Sequence, residues 1–216
     1  MRLHGVIFDL DGTLADTLPV CFAAFREVFQ AQLGVTRSDA EIRALFGPSE
    51  EGIIQQQLPK RVEESYRDYL AAYERLHASC PAPFAGIADV LELLVARAVR
   101  IAIVTAKGPG SAAISARVLG LDRFFDILEA GSPAGNEKPR SIRAVLERWQ
   151  LAPHEAAYVG DSIHDVRASR AVGVLPLAVA WASTADAAAL RAEQPHATFE
   201  TVAQFNDWIE REVVLG

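Results

Sequence analysis

The sequence predicts an α/β protein: a doubly wound parallel sheet with a small α-helical domain inserted after its first strand. Three observations carry this. From residue 86 onward, short apolar runs alternate with helix-length segments, the rhythm of strand–helix–strand units. Residues 3–8 form an apolar run broken only by His4, without the alternation of a one-sided strand, as strands covered on both faces do. Between these regions, residues 18–80 are rich in Ala, Glu, Gln, Arg and Tyr and hold no β-type run.

The first strand, residues 3–8, ends abruptly on Asp9, Asp11 and Gly12. Carboxylates are costly to bury alone, so two at the tip of a core strand need a cation, donors or a task. In open α/β sheets, ligands sit at the carboxyl ends of strands. The plain alternative is an Asp-rich turn. An EF-hand loop is excluded, because Thr13 and Leu14 stand where the next acidic ligand and the glycine belong.

The inserted segment reads as helices. Phe22, Phe25, Val28 and Phe29 recur at helical spacing, and Ile42, Leu45 and Phe46 do so after a Ser38-Asp39 cap signal. A third helix is expected over residues 61–77, and Pro81-Ala82-Pro83 closes the block stiffly. This divides the chain into a core of residues 1–15 and 82–216 and a cap of residues 16–81.

The core then follows in order. Helix 87–98 leads to strand 100–105, and helix 111–119 stops at Gly120. Strand 124–128 precedes helix 139–149, which carries proline in its first turn. Strand 156–160, helix 165–172, strand 175–180, helix 185–191, strand 198–199 and helix 202–210 complete the chain. Right-handed crossovers would bring every strand's carboxyl end to one rim.

Bulk properties limit the partners. The net charge is −7 with Lys and Arg scattered, which disfavours nucleic acid or an anionic membrane. Cys21 and Cys80 form neither a metal spacing nor a disulfide framework, which fits a reducing cytoplasm. No signal peptide is expected ahead of a strand that starts at residue 3, and no apolar run approaches the ~20 residues a bilayer span needs. Monomer and homodimer both remain open.

The rim collects a set of polar residues. Asp9 and Asp11 follow strand one, Thr105 ends strand two, and Lys138 sits just before the Pro139 helix. Gly160-Asp161 ends a later strand, with Asp165 four residues on. Singly these read as a strand-end hydroxyl, a solvated lysine and a helix cap. Together, three converging carboxylates repel unless a divalent cation and a lysine neutralise them. With no Cys or His cluster, Mg²⁺ fits an oxygen-only site better than zinc.

Asp9-Leu10-Asp11-Gly12-Thr13, Val104-Thr105, Lys138-Pro139 and Gly160-Asp161-Ser162-Ile163-His164-Asp165 together resemble the motifs of the haloacid dehalogenase superfamily, in the family's order. Phe84-Ala85-Gly86 and Leu121-Asp122-Arg123-Phe124-Phe125-Asp126 resemble its phosphoglycolate phosphatase branch. The resemblance implies a phosphatase acting on a small phosphorylated metabolite, phosphoglycolate-like or a sugar phosphate. It implies Asp9 as the nucleophile forming an aspartyl phosphate and Asp11 as general acid and base. Mg²⁺ would lie on Asp9, the Asp11 carbonyl and Asp161. Thr105, Lys138 and the backbone at Ala106 would hold phosphate oxygens, with Gly12 and Asp165 supporting. Related dehalogenases and phosphonatases lack a carboxylate at the Asp11 position, which disfavours those activities.

Other readings keep the same site. A sugar-phosphate mutase or a pyrophosphatase would use the same Asp9 and Asp11, and a receiver-like signalling domain is disfavoured by length and motif order. Cap residues such as Arg43, Phe46, Gln55 and Lys60 are the candidates for specificity. Phe46-Gly47-Pro48 reads equally as a loop facing the site or as a helix end. His164 is expected to be a partly exposed helix-start residue, and Trp149, Trp181 and Trp208 to be packing residues.

Overall fold

The computed structural model describes residues 3–135 and 137–213. Six strands form one parallel sheet in the order β3-β2-β1-β4-β5-β6. They are β1 (Gly5–Phe8), β2 (Arg100–Val104), β3 (Ile127–Glu129), β4 (Ala156–Gly160), β5 (Leu175–Val179) and β6 (Ala197–Phe199). β1 lies at the centre, with β2 on one side and β4 on the other. The chain order reverses there, so the tips of three motif-bearing strands become neighbours.

Strand side chains alternate between faces, so each strand feeds two cores. Val6, Phe8, Ile101, Ile103 and Val159 pack with α5 (Ile87–Ala96) and α10 (Val202–Glu212). Ile7, Ala102, Val104 and Tyr158 pack with α7 (Lys138–Trp149) on the opposite face. Both faces being covered explains why these strands are apolar without alternation. Helices α6 (Pro109–Val118), α8 (Ile163–Val172) and α9 (Ala187–Ala192) complete the layers.

The insertion contains four helices where three are expected: α1 (Leu18–Leu33), α2 (Asp39–Arg43), α3 (Glu50–Gln57) and α4 (Val62–Leu76). Ser38 caps α2 with a reciprocal Glu41 bond, as the cap signal suggests. Helix α2 is shorter than the apolar stripe implies, because Leu45 and Phe46 belong to the turn that follows it. The sequence reading misses α3, whose Pro48-Ser49 start and Gly52 interior weaken the helical signal. Gly52 is needed for docking, since a Cβ there would lie 2.6 Å from the Pro133 carbonyl.

The insertion has its own core around Phe25, Phe29, Ile53, Tyr69 and Tyr73. It meets the sheet domain through apolar packing on Ile114 and through polar contacts. Ser49 N–H donates to the Ser132 carbonyl at 2.9 Å, and Tyr73 Oη shares a 2.7 Å hydrogen bond with Ser115.

Other boundaries shift modestly. The third strand is Ile127–Glu129 rather than 124–128, because Phe124 and Phe125 turn to pack against the core before pairing begins. Lys138 is the first residue of α7, not a loop residue ahead of it. Among the described residues, no helix is long and apolar enough to cross a membrane.

Candidate active site

The loop after β1 is wound tightly by its own backbone. Leu14 and Ala15 N–H groups both donate to the Leu10 carbonyl, and Gly12 N–H donates to that of Ala15. Gly12 has φ +75°, and a Cβ there would strike the Asp161 carboxylate. The loop can therefore bring Asp9, Asp11 and Asp161 together only with glycine at this point. Trp181 supports the turn from below, donating its indole N–H to the Thr13 carbonyl at 3.0 Å.

Asp9 is 8 % exposed. Its Oδ1 accepts from the Leu10 N–H at 2.8 Å and its Oδ2 from Lys138 Nζ at 2.7 Å. Lys138 also donates to Asp165 and lies 5.5 Å from the centre of the Tyr158 ring. Asp165 in turn forms a capping box with Ser162 at the start of α8, which fixes its carboxylate. Gly160 leaves room for it, since a Cβ there would lie 2.5 Å from the Asp165 carboxyl carbon.

Burial sets the electrostatics. It raises the Asp9 carboxyl from 3.8 to about 6, although Lys138 opposes the shift. Burial also raises Asp161 to about 8, and Asp9 and Asp165 add to it. For Lys138, burial works against the charge, but Asp165 and Asp9 outweigh it and hold the ammonium above its ordinary value. Carboxylate oxygens of Asp9, Asp161 and Asp165 lie within 4.8 Å of one another. One lysine facing three carboxylates leaves negative charge unmatched, and the oxygen-only set suits a hard divalent cation.

Asp11 stands beside this cluster, partly exposed to solvent. Its Oδ1 accepts from Thr17 Oγ and lies 3.3 Å from Lys107 Nζ. Thr105 is buried just past β2, and its Oγ accepts from Lys107 N–H at 3.2 Å. Ala106 is exposed at the rim, its carbonyl packed so closely on Gly131 that no Cβ fits there.

A cavity of about 70 Å³ opens between the insertion and the strand tips, next to Asp11. Phe46, Gly47 and Pro48 line it, so this loop faces the site and is not merely a helix end. The remaining specificity candidates lie elsewhere. Arg43 stacks over Phe22, Gln55 is exposed, and Lys60 borders a separate surface depression with Gln32 and Leu33. His164 is exposed on the first turn of α8. Cys21 lines the cavity as a neutral group, its thiol raised by burial to about 12.

Sequence reasoning misses two side chains at this cavity, Lys107 and Glu50. Lys107 was legible in principle, two residues beyond Thr105 on the same strand-end loop. Glu50 was not, because it sits on the unread helix α3.

The family model for haloacid dehalogenase-like hydrolases matches residues 6–179 of this chain. Pyrophosphatase PpaX of Bacillus pumilus is 28% identical over 181 residues, covering 83% of this chain and 84% of that protein. The phosphorylated carbohydrates phosphatase of Thermotoga maritima is 26% identical over 181 residues, covering 80% and 82%. Among solved structures, a haloacid dehalogenase-like hydrolase from Streptococcus pneumoniae superposes with a TM-score of 0.77 at 30% identity, covering 96% of this chain and 99% of that one.

Proposed function

The chain belongs to the haloacid dehalogenase-like hydrolase family, and on that premise we propose that it is a Mg²⁺-dependent phosphatase of small phosphomonoesters. The observation that carries the reading is the position of Asp9. Its carboxylate is buried, oriented by Lys138 and the Leu10 N–H, and grouped with Asp161 and Asp165 within 4.8 Å.

In this reading Asp9 attacks the phosphorus, and the bond from phosphorus to the ester oxygen breaks. Asp11 gives its proton to the departing alkoxide. Asp11 then takes a proton from water as the water attacks the aspartyl phosphate, and cleavage of the bond to Asp9 releases inorganic phosphate. Lys138 and Thr105 hold phosphoryl oxygens, and backbone N–H groups of the strand-tip loops assist. Asp9, Asp161 and the Asp11 carbonyl would hold Mg²⁺, with Asp165 beside them. The ion supplies charge neutralisation that lets a phosphate approach a carboxylate. The raised Asp161 supports this placement, since its charge finds too little compensation from the protein alone.

The helical insertion acts as a cap, and the cavity beneath it receives the leaving group. Phosphoglycolate-like esters and sugar phosphates are the candidate substrates. Pyrophosphate is a second reading, supported by the likeness to Pyrophosphatase PpaX.

The test is phosphate release from acetyl phosphate and a panel of small esters, with and without Mg²⁺, beside Asp9→Asn. Release is expected to need both the ion and Asp9, with Asp9→Asn lowering kcat by at least about 10³-fold. Undiminished turnover by Asp9→Asn overturns the reading.

A further inference from the structure

Glu50, the first residue of α3, carries a charge from the insertion into the site. It is 4 % exposed. Its carboxylate accepts from Gly108 N–H at 2.5 Å, from Ser111 Oγ at 2.6 Å and from Lys107 Nζ at 3.3 Å. The same ammonium lies 3.3 Å from Asp11 Oδ1 and 4.6 Å above the Tyr73 ring. Glu50, Lys107 and Asp11 all line the cavity, the rest of whose wall is largely apolar, with Leu18, Phe46 and Ile53.

Two consequences follow for whatever occupies that cavity. Lys107 is the one cationic side chain among its described lining residues, and it already faces two carboxylates, so the wall is net negative. An ammonium, a backbone N–H at the head of α6 and a serine hydroxyl are also the donors that an anionic leaving group would need. Glu50 engages each of them, taking the N–H, the hydroxyl proton and one of the ammonium's three donors.

We propose that Glu50 makes this cavity selective for leaving groups without a second charge, namely short neutral alcohols and polyols, and against leaving groups bearing a carboxylate or phosphate. A second anion would meet the carboxylates of Glu50 and Asp11, with the donors around Glu50 already engaged, so rejection rests on repulsion as well as lost contacts. With the insertion in this position, the cavity of about 70 Å³ suits a small leaving group. The inference rests on the phosphatase reading and narrows its substrate class, placing phosphoglycolate and pyrophosphate among the poor substrates.

The experiment compares 2-hydroxyethyl phosphate with 2-phosphoglycolate, which differ by a neutral hydroxymethyl in place of a carboxylate. Both are assayed with the native protein, Glu50→Gln and Glu50→Ala, and pyrophosphate serves as a third substrate. The native protein is expected to favour the neutral ester by at least about tenfold in kcat/KM. Glu50→Gln, which keeps the size but removes the charge and leaves one accepting oxygen, should shrink that ratio, and Glu50→Ala should shrink it further. A native preference for phosphoglycolate or pyrophosphate overturns the proposal, as does a ratio unchanged in both variants.

Calorimetric binding of the two esters to the Asp9→Asn protein with Mg²⁺ gives the same ratio without turnover. Loss of the Asp9 requirement for acetyl phosphate hydrolysis would sink the phosphatase reading alone, while the binding ratio still decides the role of Glu50. If both Glu50 variants lose their circular dichroism, the native kinetic and binding ratios decide it.

Discussion

Lys138 Nζ lies 2.7 Å from Asp9 Oδ2, joining residues 129 apart in the chain at the tip of the central strand. The same ammonium meets Asp165, so one cation holds two buried carboxylates from neighbouring strand ends. Lys138→Met removes that cation and leaves the carboxylates uncompensated. A loss of about 3–5 kcal/mol in urea unfolding is expected without divalent ion, partly recovered when Mg²⁺ is added. A change below about 1 kcal/mol would refute the pairing as a structural element.

Gly12 tests the geometry of the same cluster from the opposite side. Gly12→Ala places a Cβ against the Asp161 carboxylate at a residue with φ +75°. We expect a stability loss of about 1–2 kcal/mol from backbone strain and a higher Mg²⁺ concentration for half-maximal activity. Metal titration of the purified variant checks this, and an unshifted titration would remove Asp161 from the binding set.

Asp11 should separate the two half-reactions. Asp11→Asn is expected to bind Mg²⁺ as before and to slow turnover of alkyl esters by about 10²–10⁴-fold. p-Nitrophenyl phosphate needs little help from an acid, so the variant should release one equivalent of nitrophenol and then stall. Sustained release would assign water activation to another group.

The raised carboxyls predict an inverted pH profile for the metal-free protein. Asp9 rises from 3.8 to about 6 and Asp161 from 3.8 to about 8, so the folded state binds more protons than the unfolded one between those values. Their contribution is complete below pH 4 and is lost as pH climbs through about 6 and then about 8. In chelator, Tm should therefore fall between pH 5 and 8, and Mg²⁺ should flatten the slope while releasing protons at pH 7. Calorimetry in two buffers reads both effects, and a Tm that rises across this window would contradict them.

Much of the fold was legible because it is written locally. The runs at residues 5–8, 101–104 and 156–160 are apolar without alternation, and that pattern survives only in strands covered on both faces. Where several local signals overlap, the reading loses its grip. Pro48, Ser49 and Gly52 hide α3, and Phe124 and Phe125 imitate a strand although they pack as loop residues.

The sequence by itself determined the sheet, the helical insertion, the strand tips on which Asp9, Asp11, Thr105 and Asp161 lie and the helix start that carries Lys138, because each follows from short-range pattern and motif spacing. Only the tertiary structure decided that Glu50 would reach Lys107 across 57 residues and that the cavity beside Asp11 would carry net negative charge. The sign of a pocket is a sum over side chains from separate elements. No single stretch of chain contains it, since it depends on how the insertion docks on the sheet.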